Sequence, residues 1–108
     1  MEFRFLKLKI AMSLFPLYDE VVSKMNGQET ILNQTHCTTI TRLTQEHLNL
    51  IYLLILHHYI KTKPGKMDLP YGSRTVSNGK GISFRRLSQI PDDVQRIIHR
   101  YLMIISTT

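Results

Sequence analysis

A single cysteine, Cys37, stands in a chain of 108 residues, so no internal disulfide can form. That excludes the cystine-stapled scaffold of small secreted domains and makes a reducing compartment, nucleus or cytoplasm, the expected setting. Long apolar runs are lacking too. LNLIYLLILHHYI (48–60) falls short of the ~20 apolar residues that a bilayer span needs, and it carries Asn49, His57 and His58. It reads as a core helix, and no membrane partner is expected. The opening MEFRFLKLKIAM has neither the continuous apolar stretch nor the small-residue cleavage site of a signal peptide.

Chemistry-bearing constellations are equally scarce. The histidines are His36, His47, His57, His58 and His99, with Cys37 beside His36. Structural zinc sites take four ligands in closely spaced pairs, but neighbours on a helix point about 100° apart, so His57 and His58 cannot share one ion. No nucleophilic triad assembles around Cys37. Asp92 and Asp93 look like a carboxylate pair, yet the start of a helix accounts for both. The glycines miss the phosphate-loop spacing: six residues separate Gly72 from Gly79, and Gly81 follows Lys80 where Ser or Thr is required. Neither an enzyme nor a cofactor is expected.

What the sequence does have is a one-sided charge. Residues 1–54 carry five Lys/Arg against five Asp/Glu, whereas residues 55–108 carry nine Lys/Arg against three Asp, which accounts for the net +6. Seven basic residues lie between Lys61 and Arg86, with Asp68 alone to oppose them. Such a field draws acidic peptides or phosphate backbones, most strongly at low salt. Tyr71 and Phe84 lie among these basic residues, where a nucleic-acid stacking platform would need them.

The pattern predicts a small, mainly helical α+β domain. Residues 1–11, with Phe3 and Phe5 alternating against Glu2 and Arg4, read as an edge strand or an appended arm; residues 12–108 read as one domain with a basic loop or hairpin at 61–86. A first helix is expected over Pro16–Met25, stopped by Asn26-Gly27. Residues 28–43 read as a polar connector, with a short strand around Thr38–Ile40. The second helix runs from an N-cap at Thr44 to near Lys61 and is apolar on nearly every side, so it should be central. Asn78-Gly79 favours a two-residue turn that would pair 74–76 with 82–84. A last helix from Pro91 carries Val94, Ile97, Ile98, Tyr101, Leu102 and Ile105 in one stripe, with Arg96 and Arg100 outward and an Asp92–Arg96 pair. Truncating Val94 or Ile98 to alanine is expected to cost about 1–4 kcal/mol, measured by denaturant unfolding.

Residues 82–102, ISFRRLSQIPDDVQRIIHRYL, preceded by the 43–60 helix, resemble the extraterminal domain of double-bromodomain proteins and related chromatin factors. The resemblance implies a strand edge that captures short partner peptides by β-augmentation, with main-chain bonds giving affinity and side chains giving selectivity. The family's strand is acidic and takes basic peptides. Here Lys80, Arg85 and Arg86 flank Ile82-Ser83-Phe84, which inverts the preference toward an acidic partner peptide. The family also has two short helices ahead of its strand where this chain has one long one. LSQIPDDVQRIIHRYL (87–102) is in addition similar to the opening of an F-box, which docks a ubiquitin-ligase adaptor, here through Ile90 and Val94. In style, with LPYGSRTVSNGKG before the strand, the chain resembles small proteins of large DNA viruses. The favoured expectation is a non-enzymatic interaction module: Ile82, Ser83 and Phe84 offer the edge, and Lys80, Arg85 and Arg86 select the partner. The competing readings are Ile82 and Phe84 as core residues, nucleic-acid binding through 61–86, and the F-box-like contact.

Overall fold

The computed structural model describes residues 2–4, 15–62, 70–75, 81–84 and 86–106. In chain order they form β1 (Glu2–Arg4), α1 (Phe15–Ser23), α2 (Gln34–Thr41), α3 (Gln45–Thr62), β2 (Arg74–Thr75), β3 (Gly81–Ser83) and α4 (Asp92–Ser106). Single 3-10 turns, Pro70–Gly72 and Leu87–Gln89, precede β2 and α4. The architecture is mainly helical α+β.

The 43–60 stretch is the centre of the fold, as its apolar circumference requires. Five consecutive residues of α3, Ile51 to Ile55, are buried, which happens only when neighbours cover more than one face. α1, α4 and β1 supply that cover. Thr44 Oγ1 accepts from the His47 N–H at 3.4 Å, so the predicted N-cap is present, though long. The α4 stripe turns inward: Val94 and Ile98 are fully buried, with Ile97, Tyr101 and Leu102 beside them. α1 ends two residues before the predicted Met25, and Gly27 follows at φ 86°, a conformation a residue without Cβ adopts without strain.

Three expectations are corrected. Residues 34–41, predicted as connector and short strand, are helix α2. Asn33 Oδ1 accepts from the His36 N–H at 2.9 Å, while His36 Nδ1 accepts from the Asn33 N–H at 3.2 Å, a reciprocal cap. The hydroxyls of Thr38 and Thr39 donate to carbonyls four residues back, and Ile40 is fully buried. Tertiary anchoring through Ile40 thus overrides the low helix propensity of a threonine-rich segment. Arg100 does not face outward: its guanidinium binds the carboxylate of Glu29, a buried residue of the α1–α2 connector. Arg96 approaches Asp93 at 3.9 Å instead of Asp92.

The sheet has the order β1-β3-β2, antiparallel throughout. Residues 2–4 are therefore a strand of the domain's sheet and not an appended arm; residues 5–11 lie outside the described residues. β2 pairs with β3 in the register Arg74↔Ser83 and Thr75↔Ile82. The Asn78-Gly79 turn predicted to join them also lies outside the described residues.

Candidate functional site

The sheet places the predicted edge in its middle. β3 is paired on one side with β1, Ile82 opposite Phe3, and on the other with β2, Ile82 opposite Thr75. Both rows of its main-chain donors and acceptors are therefore committed, and 81–83 cannot take a further strand. Phe84, expected at the partner surface, is 1% exposed and belongs to the core cluster with Ile51, Ile55 and Ile98. Ser83 is half-buried and Arg86 is exposed, its N–H donating to Gln89 Oε1 at 2.9 Å. Lys80 and Arg85 lie outside the described residues.

Among the described residues the sheet has two outer strands, β1, which lies against α3, and β2. Arg74 and Thr75 are both exposed, and among the described residues β2 pairs with β3 alone. An antiparallel ladder turns the N–H and C=O of alternate residues toward the partner strand. One of these two residues thus bonds to β3 while the other directs its main-chain groups outward. Arg74 adds a cation at that edge.

The turn that feeds β2 is fixed by Tyr71. Its backbone is left-handed, φ 53° and ψ 40°, which for a residue other than glycine costs of order 1–3 kcal/mol. The ring offsets this. Its hydroxyl shares a 2.6 Å hydrogen bond with His58 Nδ1, and its face meets Tyr59 edge-on with centroids 4.9 Å apart. Burial raises the Tyr71 phenol above its ordinary value, slightly opposed by a hydrogen bond from Thr62. Burial likewise lowers His58, against Asp93, which favours its charged form.

His58 also lines a cleft between α1, α3 and α4, with Tyr18, Val22, Met25, Ile97 and the Asp93–Arg96 pair. Its cavity volume is about 240 Å³, below the ~300–1,000 Å³ typical of small-molecule sites. Tyr18 forms one wall, held by His57 at 4.4 Å between centroids and by Lys61 Nζ at 5.4 Å from its ring. His57 and His58 are thus engaged by tyrosines, and His47 likewise shares a 2.7 Å bond with Tyr101. Among the described residues no three His, Cys, Asp or Glu side chains converge as a metal site.

Of the three competing readings, the one that made Phe84 a core residue holds, and the other two have named contact residues that the fold engages elsewhere. Phe84 is core and closed to bases, while the half-buried Tyr71 packs on Tyr59 and His58. Ile90 is 1% exposed and Val94 fully buried, so the F-box-like contact residues are interior. Among the described residues no helix is long and apolar enough to cross a membrane.

No family model, curated protein or solved structure matches this chain. The functional reading rests on its own residues.

Proposed function

We propose that the chain is a non-enzymatic interaction module that takes an acidic segment of another protein as an added strand on the outer edge of β2. The observation that carries this is the sheet order: β3 is sealed on both sides, while β2 is outermost with both side chains exposed. An uncovered edge is a template for pairing unless something blunts it. The mode is that of the extraterminal domain the sequence resembles, moved one strand outward.

The choice of partner follows from charge. Arg74 and Arg86 are exposed on the β2–β3 side of the domain, and Lys61 is exposed at the end of α3. Two paired residues give few main-chain bonds, so attraction between charges supplies much of the affinity, which falls steeply as salt rises from about 50 to about 200 mM.

A peptide of alternating glutamate and valine is a suitable probe. The double substitution Arg74→Glu, Arg86→Glu is expected to weaken its binding about tenfold, since each exposed charge contributes up to ~1 kcal/mol. The unfolding midpoint should stay within a few degrees of wild type, because both side chains are exposed. Unchanged affinity would remove the β2 edge from the account. A single-stranded oligonucleotide that binds where the peptide does not would transfer the basic surface to nucleic acid.

A further inference from the structure

The connector between α1 and α2 is held in place by two histidines that both act as hydrogen-bond acceptors. The Thr30 N–H donates to His99 Nδ1 at 2.9 Å, and the Asn33 N–H donates to His36 Nδ1 at 3.2 Å. A ring nitrogen that accepts carries no proton, so both imidazoles are neutral Nε2–H tautomers in this arrangement. Their rings lie against each other, centroids 4.7 Å apart at 41°. The same assignment leaves neither ring a lone pair for a metal: Nδ1 is occupied by a main-chain proton and Nε2 carries its own.

Protonation undoes this arrangement in three ways. At His99 it sets an N–H against the N–H of Thr30, places a cation against the neighbouring His36 imidazole, and adds charge beside Arg100. The groups facing the pair from each side are His36 from α2, Arg100 from α4 and Glu29 from the connector. Glu29 favours the charged ring, but its carboxylate already accepts from the N–H groups of Asn26 and Gly27 and from Arg100. Burial keeps the His99 imidazole below the ordinary histidine range, and His36 and Arg100 push the same way.

We infer that residues 30–36 are an acid-released latch, docked on α4 while His99 is neutral and freed when its ring takes a proton. Its two ends stay attached. Burial pushes the Glu29 carboxyl up, yet the N–H donors of Asn26 and Gly27 and the Arg100 guanidinium outweigh it and hold it at about 2. Glu29 therefore remains charged and tethered to Arg100 throughout mild acidification. Beyond the latch, Ile40 is sealed in the core. Between these anchors the segment carries Leu32, which is 5% exposed and whose N–H donates to Gln95 Oε1 at 3.0 Å. Release uncovers Leu32 and the flank of α4 bearing Gln95 and His99, an apolar and polar surface presented in acid and hidden at neutral pH. The sign follows from the lowered His99: docking is fully present above the unfolded histidine value of about 6.5 and is lost as pH falls from there through the lower folded value.

Long-range proton–nitrogen NMR of the full chain near pH ~7.5 should show both rings as Nε2–H tautomers. Hydrogen exchange, corrected for intrinsic pH dependence, should then show protection of the Thr30 amide falling at least about tenfold between pH ~7 and ~5, one pKa unit being tenfold. The Val94 and Ile98 amides should keep their protection. In the variant His36→Asn, His99→Asn, each Oδ1 accepts where Nδ1 did but cannot titrate, so protection should stay within about twofold over the same range. An Nδ1–H tautomer at His99, retained protection in wild type, or simultaneous loss at Val94 and Ile98 would overturn the latch. If the double variant does not fold, the wild-type protection ratio decides alone.

Discussion

Replacing Phe84 by alanine is expected to cost about 3–5 kcal/mol, the range for deleting a fully buried aromatic side chain. Phe84 is 1% exposed and sits where the strand leaves the sheet to meet α3 and α4. A domain of this size has roughly 5–15 kcal/mol of total stability, so the change removes about a fifth of it or more. Urea unfolding read by circular dichroism measures the loss directly. The number discriminates between two roles. A side chain exposed for a partner would change stability by no more than about 0.5 kcal/mol and affect binding instead. A loss in that small range would return Phe84 to the interaction surface and place the 81–83 strand at an edge.

The second large effect is expected at Gln95. Its amide is 4% exposed and makes three bonds: Oε1 accepts from the Leu32 N–H at 3.0 Å, and Nε2 donates to the carbonyls of Ile90 at 2.8 Å and Leu87 at 3.0 Å. One side chain thus satisfies main-chain groups from two segments that precede α4 by very different distances in sequence. Gln95→Leu keeps the size and the burial but removes the partner of the Leu32 N–H and of the Ile90 carbonyl, while the Leu87 carbonyl keeps its bond from the Ile90 N–H at 2.9 Å. Each group left without a partner costs about 1–3 kcal/mol when sequestered from water. The expected loss is on the order of 3 kcal/mol, again by urea unfolding. A loss below about 1 kcal/mol would show that water replaces the amide without cost.

How much of this was legible in the sequence depends on whether the deciding interaction is local. α3 was readable because thirteen residues of near-continuous apolarity admit no other placement than the centre. The α4 stripe was readable because its period is helical and its first turn carries two aspartates. By contrast, α2 is a run of Gln, Thr, His and Cys with little propensity, and it forms because Asn33 and His36 cap each other and Ile40 finds the core. Arg100 reads as a surface position beside the stripe, and Gln95 is not part of the stripe. Their burial is decided by a connector some seventy residues earlier in the chain, and no local pattern announces Glu29 as its partner.

The candidate site failed in the sequence reading for a related reason. The alternation of Ile82-Ser83-Phe84 correctly marks a strand near 74–84, but edge or centre is a property of the whole sheet. Residues 2–4, nearly eighty positions away, close the side that the local pattern left open. The positive charge was legible from composition; the strand that presents an open edge beside it was not.

The proposed function requires an acidic strand to pair with the outer edge of β2. Titration of isotope-labelled protein with the glutamate–valine peptide, followed by backbone amide NMR and intermolecular proton contacts, tests it most directly. The account predicts the largest shifts at Arg74 and Thr75, strand-type contacts between their main chain and the peptide's, and slowed exchange of whichever of their two amides faces outward. Shifts centred on Tyr18, Val22 and Ile97 around the cleft, or none at Arg74 and Thr75 at saturating peptide, would contradict it.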